Sequence, residues 1–232
     1  MSRILVFQHS DRCGPGRLGR VLAEHGRRLV IVRPDRDGAG VVPRDLHDIE
    51  GVVSLGGPMN ISDGLDWLNA EMAFLKRAHE ASIPMVGICL GHQAIATALG
   101  GRVGAMAKPE IGFLPIDLTH AAQNDPVFGG MPWSAPRFSS HGYEVTDMPP
   151  GAVLLASSAA CKVQSYRIGS RTYAFQYHFE WTREQIGNED EEFLRASGVT
   201  LREIDEQCAT HYARFDEIAT RQCQNLAHLL LR

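Results

Sequence analysis

The sequence predicts an α/β protein with three layers, in which a mostly parallel central sheet is flanked by helices. Short apolar runs typical of buried strands alternate with segments of helical periodicity through residues 3–101, and glycine- or proline-containing turns separate them. Continuous apolar strands that alternate with helices indicate a parallel sheet covered on both faces. We therefore expect the functional loops at the carboxyl ends of the strands.

The predicted elements of the first half follow in a regular order. Strands are expected at 3–8, 28–33 and 51–55, each interpreted as buried, and a helix between the first two ends at His25-Gly26. A helix over 66–81 carries one apolar face, formed by Trp67, Leu68, Met72, Leu75 and Ala78. A strand at 84–88 then leads into a helix over 92–99. Gly56-Gly57-Pro58 and Cys89 both directly follow a strand, so they are expected at one edge of the sheet.

Residues 102–180 show a different pattern. Short strands with intervening turns predict the rest of the sheet, with some antiparallel pairing, at 112–118, 152–156, 163–167 and 172–176. From Thr182 onward the chain is predicted to be helical, and its apolar face is expected to pack on the domain, with a homodimer contact as the alternative. We interpret residues 1–232 as a single domain, with a core of about 1–181 and a C-terminal helical extension of about 182–232.

Composition narrows the classes of function. The chain has 232 residues, of which 44% are apolar and 22% charged, with a net charge of −4. This balance indicates a globular protein and shows no basic surface for nucleic acid or anionic lipid. No stretch approaches the roughly 20 apolar residues of a membrane helix, and the N-terminal apolar run is too short for a signal peptide. We expect a cytoplasmic protein with no nucleic-acid partner and no membrane association.

The cysteines argue against a metal site. Five cysteines occur with no short paired spacing, at positions 13, 89, 161, 208 and 223. Zinc ribbons and redox pairs both need closely spaced cysteines, so we expect no metal and no cofactor. Buried thiols behave as small apolar side chains, and most of the five are expected to do so. Cys89 is the exception, because its local sequence suggests chemistry.

The segment Gly87-Ile88-Cys89-Leu90-Gly91 is predicted to join a strand to a helix through a sharp turn. Small neighbours allow the strained backbone of a nucleophile elbow, which lifts the thiol above the sheet. The positive end of the helix dipole favours a thiolate there, and the Leu90 amide could bind an oxyanion. The alternative is a buried cysteine in an ordinary turn, with glycines present for close packing.

The wider sequence resembles a known family. Gly87-Ile88-Cys89-Leu90-Gly91-His92-Gln93 resembles the nucleophile motif of the class I, triad-type glutamine amidotransferases. Ser54-Leu55-Gly56-Gly57-Pro58 resembles their glycine-rich oxyanion strand, and the segment at 175–180 resembles their His-Pro-Glu segment, with Phe179 where the family usually has proline. The three motifs occur in the expected order. More closely, the chain resembles stand-alone proteins that are similar to the amidotransferase domain of GMP synthase and end in a helical extension.

The resemblance implies a flavodoxin-like class I amidotransferase fold and a set of site residues. It implies Cys89 as nucleophile, His178 as general base and acid, and Glu180 as the group that orients the imidazole. Residues two apart in an extended segment face the same side, which lets His178 and Glu180 meet. It also implies that the backbone amides of Gly57 and Leu90 bind the oxyanion. It implies substrate contacts at Gln93, Ser140, Gly142 and Tyr143. We interpret His141 as a loop residue and His92 as structural.

The implied reaction is cysteine-dependent hydrolysis of a γ-glutamyl amide through a thioester, with glutamine as the default substrate. Amidotransferases pass ammonia to a synthetase, and 232 residues leave no room for one, so a separate synthetase subunit would accept it. The alternative is a hydrolase of γ-glutamyl amines or peptides without an ammonia acceptor. A non-catalytic binding or regulatory module that retains the fold is the further alternative, against which the intact Cys, His and Glu argue.

Overall fold

A computed structural model describes residues 3–231, the side chain of Leu229 excepted, so residues 1, 2 and 232 of the predicted domain lie outside it. Within this range one sheet contains nine strands: β1 Arg3–Phe7, β2 Leu29–Val32, β3 Ile49–Ser54, β4 Met85–Ile88, β5 Arg102–Leu118, β6 Ser134–Asp147, β7 Ala152–Ser157, β8 Ser165–Ile168 and β9 Thr172–Phe175. The helices are α1 Gly16–Glu24, α2 Pro34–Asp37, α3 Asp66–Glu80, α4 Leu90–Ala98, α5 His120–Gln123, α6 Arg183–Gly187, α7 Glu191–Ala196 and α8 Leu201–Leu229.

The sheet has a parallel half and an antiparallel half. Its strand order is β2-β1-β3-β4-β9-β8-β7-β5-β6. In this order, the neighbouring strands from β2 through β4 to β9 pair in parallel. The neighbouring strands from β9 through β8, β7 and β5 to β6 pair antiparallel. Parallel pairing brings the carboxyl ends of β1, β3, β4 and β9 to one edge. The predicted mixed α/β sheet flanked by helices is confirmed.

Alternation along the strands produces the three layers. Ile4 and Val6 of β1 pack on the side of α1 and α8, whereas Leu5 and Phe7 pack on the side of α3 and α4. Successive side chains of a strand point to opposite faces, so a strand apolar at every position needs helices on both faces. The two apolar clusters hold the carboxyl edge of the sheet rigidly between these helix layers.

Some predicted elements need correction. β2 was expected to be buried, but it lies at the edge of the sheet, and Ile31 is 43% exposed because the strand pairs only with β1. Residues 134–147 were not predicted as a strand, yet they form β6, which pairs with β5 over most of its length. His141 therefore lies in a strand, not in the predicted loop. The helix after Cys89 begins at Leu90 instead of His92.

The C-terminal helices begin at well-formed caps. The side chains of Thr182, Asp190 and Thr200 accept hydrogen bonds from the first turns of α6, α7 and α8 respectively. Such caps satisfy backbone N–H groups that have no partner within the helix. Residues 3–231 contain no helix with both the length and the apolar character that a bilayer span requires.

Candidate active site

The Cys89 turn has the backbone of a strained elbow. Cys89 adopts φ 53° and ψ −104° between β4 and α4, a conformation that is uncommon for a residue with a side chain. Its amide donates to the Phe175 carbonyl at 2.8 Å, and the Gly91 amide donates to the Leu55 carbonyl at 3.1 Å. These bonds fasten the turn to β9 and to the end of β3. The surrounding structure therefore holds the strain in place.

Close packing explains the glycines beside Cys89. A methyl group on Gly91 would overlap with the backbone oxygen of Ser54, and one on Gly87 would lie 2.6 Å from the Gly91 oxygen. A methyl group on Gly56 would lie 2.9 Å from Cε1 of His178 and 3.5 Å from Cβ of Cys89. The glycine turn after β3, the elbow and His178 are thus in mutual contact.

His178 and Glu180 form a buried pair next to the thiol. Nδ1 of His178 lies 2.7 Å from Oε1 of Glu180, and each residue is only 1% exposed. The Cys89 side chain lies beside the same imidazole and interacts with it electrostatically, while Sγ of Cys89 donates to the Ser140 carbonyl at 3.7 Å. The His178 amide donates to the Phe138 carbonyl of β6 at 2.8 Å, and the Trp181 ring stacks on the imidazole with 4.0 Å between ring centroids.

This environment changes the proton affinity of His178. Burial acts to lower the pKa of His178, but the negative charge of Glu180 and the contact with Cys89 outweigh it and raise the pKa well above 6.5. An opposite charge within hydrogen-bonding distance favours the charged form of a buried imidazole. Cys13 lines the same cavity, and burial raises the pKa of its thiol to about 11. For Cys13 the surroundings therefore favour the neutral form, whereas for His178 they favour the charged form.

A cavity of about 710 Å³ opens above Cys89. Its walls include Gly57, Leu90, Gln93, Ser140, Gly142 and Tyr143, that is, every residue predicted to bind the oxyanion or the substrate. Further walls come from residues 10–13 after β1, from residues 58–60 after β3, from Trp181 and from residues 188–196 around α7. Pockets of this size accommodate small-molecule ligands. The cavity reaches Cys89 and His178, whereas Glu180 lies behind the imidazole.

Gln93 has a more restricted position than predicted. Its Nε2 donates to the Tyr143 carbonyl at 3.0 Å and to Oε1 of Gln176 at 3.1 Å, and the residue is 4% exposed. Both amide protons are therefore engaged within the protein. The side chain fixes the position of the β6 wall relative to α4, and its predicted contact with substrate stays a prediction.

With this geometry established, the family can be identified by comparison with known proteins. The family model described as Glutamine amidotransferase class-I matches residues 17–196. This chain belongs to the class I glutamine amidotransferase family. The glutamine-hydrolyzing GMP synthase subunit of Thermoplasma acidophilum is 31% identical over 193 residues, which cover 83% of this chain and 91% of that protein. Gamma-glutamyl peptidase 3 of Arabidopsis thaliana is 30% identical over 154 residues, covering 64% of this chain and 61% of that protein.

Solved structures of the amidotransferase family have the same fold. The crystal structure of a glutamine amido transferase from Methylobacillus flagellatus has 25% identity and a TM-score of 0.82, and the match covers 99% of this chain and 96% of that chain. A glutamine amidotransferase from Thermotoga maritima, at 20% identity, superposes with a TM-score of 0.84 over 97% of this chain and 98% of that chain. The match to the Thermotoga maritima structure shows that the two chains share a fold.

This member of the family has Phe179 where the resembling motif usually has proline, and its surroundings hold the backbone there. Proline would restrict the backbone by its ring. Phe179 is instead 1% exposed, and its ring packs edge-on against Phe175 at 5.0 Å between centroids. Arg17 also donates to the carbonyls of Phe179 at 2.7 Å and of Trp181 at 2.8 Å. Packing and these hydrogen bonds hold the segment that carries His178 and Glu180.

Sequence reasoning missed several residues around this site. Trp181 and Arg17 belong to no motif that the sequence singled out. His9 and Glu71 were missed as well, although signals were present. His9 lies two residues after the end of β1, as the other motifs also follow strands, and Glu71 is a charged residue on the apolar face of α3. A carboxylate among core positions is rarely buried unless it has a partner.

Among the described residues, Glu110, His141 and Cys161 form a group whose donor atoms all lie within 4.8 Å of one another. The Glu110 carboxylate already accepts hydrogen bonds from His141 at 3.1 Å, Ser158 at 2.6 Å and Gln164 at 2.6 Å. A metal would have to displace these partners. The network instead supports the β6 wall, because Nδ1 of His141 lies 3.0 Å from the Tyr143 carbonyl.

Proposed function

We propose that this chain hydrolyses a γ-glutamyl amide through a thioester on Cys89. The observation that carries the proposal is the buried His178–Glu180 pair beside Cys89, since one added atom on Gly56 would meet both the His178 ring and Cβ of Cys89. Because Nδ1 donates to Glu180, the other ring nitrogen is available to the thiol. An adjacent base oriented by a third group is the arrangement that activates a cysteine nucleophile.

The first half-reaction forms the thioester. The thiol proton passes to His178, whose raised pKa favours the imidazolium, and the sulfur attacks the γ-carbonyl carbon as a thiolate to give a tetrahedral oxyanion. The N–H groups of Gly57 and Leu90 would stabilise this oxyanion, since both residues line the cavity beside the sulfur. The imidazolium then protonates the leaving nitrogen, and the C–N bond breaks. Glu180 stabilises the imidazolium while it exists.

The second half-reaction regenerates the thiol. His178 takes a proton from water as the oxygen attacks the thioester carbonyl. A second tetrahedral intermediate forms in the same oxyanion site. The C–S bond breaks, the thiolate takes the proton from the imidazolium, and glutamate leaves. The balanced reaction consumes one amide and one water and releases one glutamate and one amine or ammonia.

The leading substrate is glutamine, with ammonia passed to a separate synthetase subunit. The relationship to proteins named as glutamine-hydrolyzing GMP synthase subunits supports this choice. Hydrolysis of γ-glutamyl peptides or amines is the second candidate. It is supported by the relationship to gamma-glutamyl peptidase 3 and by a cavity of about 710 Å³, which has room for a group beyond the scissile amide.

The test uses the full chain with L-glutamine and, separately, a γ-glutamyl dipeptide, and it measures released glutamate. We expect turnover by the wild type and by the control variant Cys208→Ala, which removes another buried thiol. Cys89→Ala should lose on the order of 10⁴ or more in turnover. Mass spectrometry of acid-quenched protein should find one glutamyl group on the peptide that contains Cys89.

Two outcomes discriminate the proposals. Glutamate release that survives in Cys89→Ala would contradict the thioester mechanism, and a wild type that releases no glutamate from either substrate would favour the non-catalytic interpretation of the site. If kcat/KM for the dipeptide exceeds that for glutamine, the peptidase role is supported over ammonia supply.

A further inference from the structure

A buried histidine–glutamate pair lies behind the glycine turn that follows β3. Nε2 of His9 lies 2.8 Å from Oε2 of Glu71, and both side chains are completely buried. The second carboxylate oxygen of Glu71 accepts a hydrogen bond from Oγ of Ser54 at 2.7 Å. The pair thus connects the ends of β1 and β3 to α3, and the triad chemistry proposed above does not use it.

The other ring nitrogen of His9 contacts the backbone of the glycine turn. Nδ1 lies 3.1 Å from the Leu55 carbonyl oxygen and 3.3 Å from the Gly56 carbonyl oxygen. Both ring nitrogens therefore face only acceptors, two carbonyl oxygens and one carboxylate oxygen. A nitrogen can donate only if it carries a proton, so these contacts require the doubly protonated imidazolium.

The electrostatic surroundings favour that charged form. Burial acts to lower the pKa of His9, but the Glu71 carboxylate and the Gly56 and Leu55 carbonyls outweigh it and raise the pKa above 6.5. Asp35 is a further carboxylate whose interaction with His9 has the attractive sign. The Trp67 ring stacks on the imidazole, with 5.5 Å between ring centroids.

The peptide unit between Gly56 and Gly57 has an orientation that matters for the reaction. In a trans peptide the carbonyl and the following N–H point in opposite directions. Because the Gly56 carbonyl faces His9 and the peptide is trans, the Gly57 N–H points away from His9, and Gly57 itself lines the cavity. The Leu55 carbonyl is held twice, by His9 and by the Gly91 amide of the elbow.

Contacts on both sides leave this turn little freedom. A methyl group on Gly57 would lie 2.8 Å from Cβ of His9 and 3.1 Å from Cδ2 of Leu90. Rotation of the Gly56–Gly57 peptide by half a turn would break the hydrogen bond to His9. It would also direct the Gly56 carbonyl toward the developing oxyanion, where a second negative oxygen is repelled.

We propose that the His9–Glu71 pair is a positioning device that holds the Gly56–Gly57 peptide with its N–H toward the substrate carbonyl, so that the oxyanion hole is formed before substrate binds. This inference rests on the proposed function. His9 is a positioning residue, since it acts through the backbone and does not contact the reacting atoms. Glu71 keeps the imidazole charged and fixes its orientation.

The test separates the two hydrogen-bonding ends of His9. In His9→Gln the side-chain amide can reach Glu71 but not the turn carbonyls. In the double variant His9→Asn/Glu71→Gln, the side-chain amide at position 9 takes the place of Nδ1 and can still donate to the turn carbonyls. We expect kcat for γ-glutamyl amide hydrolysis to fall roughly 10²–10³-fold in His9→Gln, as for loss of an oxyanion donor, with KM within about threefold of the wild type. The double variant should stay within about tenfold of wild-type kcat.

A second measurement distinguishes positioning from general damage. Alkylation of Cys89 by iodoacetamide displaces iodide at a saturated carbon and forms no oxyanion. Its rate should stay within about threefold of the wild type in both variants, because the proposed change affects only oxyanion stabilisation. His79→Gln is the matched control, since it removes an imidazole that bonds Oγ1 of Thr172 at 2.8 Å, and it should leave kcat unchanged.

The outcomes are distinct. Wild-type kcat in His9→Gln, or alkylation that falls in parallel with hydrolysis, would overturn the positioning role while the thioester mechanism stands. If the wild-type protein forms no thioester, the proposed hydrolysis through Cys89 is itself contradicted. If thermal melts show that His9→Gln does not fold, His9→Leu/Glu71→Gln replaces it, with the same expected loss of kcat and the same criterion.

Discussion

At the scale of single residues, the site contains groups whose backbone conformation or burial is energetically unfavourable. Cys89 has a strained positive φ, and Glu180 is a carboxylate that is 1% exposed. A buried carboxylate without a partner is strongly destabilising, so the pairing with His178 is what makes it tolerable. The charge of Glu180 therefore serves both to stabilise the fold locally and to stabilise an imidazolium during the proposed reaction.

Glu180→Gln tests the charge while keeping the shape of the side chain. We expect kcat to fall roughly 10²–10⁴-fold, because the amide can still contact Nδ1 of His178 but no longer stabilises the imidazolium. Glu217→Gln, an exposed site on α8 paired with Arg214, is the matched control and should retain wild-type kcat. Steady-state glutamate release provides the measurement, and equal activities of the two variants would contradict the role of Glu180.

At the scale of elements, the segment at 176–181 needs external support because it continues β9 without belonging to a strand. Arg17, near the start of α1, provides it. Its backbone N–H donates to the Glu180 carbonyl at 2.7 Å, and its guanidinium donates to the carbonyls of the residues on either side. The same guanidinium pairs with Asp216 of α8. The C-terminal helix is thereby connected through one side chain to the segment that carries His178 and Glu180.

Arg17→Met should weaken both stability and catalysis. Two hydrogen bonds from a charged donor are lost, each worth roughly 1.5–3 kcal/mol, so we expect the free energy of unfolding to fall by about 3 kcal/mol or more. Loosening of His178 and Glu180 should lower kcat about tenfold. Arg20→Met, on the exposed side of the same helix, should change stability by no more than about 0.5 kcal/mol. Urea denaturation and kinetics of the two variants provide the comparison, and matching behaviour would disprove the bracing role.

At the scale of the whole molecule, several buried His–Glu pairs join the layers. His9–Glu71 links the sheet to α3, and His178–Glu180 lies between the sheet and the α1 side. The pKa values of His9 and His178 are raised in the folded state. The stability that a raised histidine pKa contributes is complete below the unfolded value of about 6.5 and is lost as pH rises through the folded value.

We therefore expect the free energy of unfolding to decrease from pH 6.5 to pH 8. Buried thiols add to this trend mainly near and above the unfolded cysteine pKa of about 8.5, so the chosen range reports chiefly on the histidines. His9→Asn/Glu71→Gln, which lacks one pair, should show a smaller decrease over the same range. Urea denaturation at the two pH values measures both proteins. Stability that rises with pH in the wild type would contradict the assignment of protonated, paired histidines.

Sequence patterns located every strand of the parallel half of the sheet and missed only β6 in the antiparallel half, although they did not show that β2 is an edge strand. The apolar run at 29–32 could not reveal an edge strand, because strand exposure depends on which neighbour is missing and not on local periodicity. Pro136 and Gly142 concealed β6, since both residues usually weaken strand patterns. Pairing with the long β5 strand overrides that local preference.

The site shows the same division between local and tertiary information. Cys89, His178 and Glu180 stand in recognisable motifs, and the structure places them in contact, while their catalytic roles stay predictions. His9, Arg17 and Glu71 act through backbone carbonyls or buried pairing, and such partners are created only by the tertiary fold. Glu71 could have been detected in the sequence, because it is a charged residue at an apolar position of α3. A carboxylate buried there needs a hydrogen-bonding partner.

The tight packing at the elbow has a consequence for how this protein can diversify. At Gly87 and Gly91 even an added methyl group meets backbone atoms, so the floor of the cavity tolerates almost no change. The upper walls are built from separate segments at 10–13, 140–143 and 188–196, two of which lie outside the sheet. Substitutions in these rim segments can therefore change the shape of the cavity entrance, while the tightly packed turn around Cys89 stays the same.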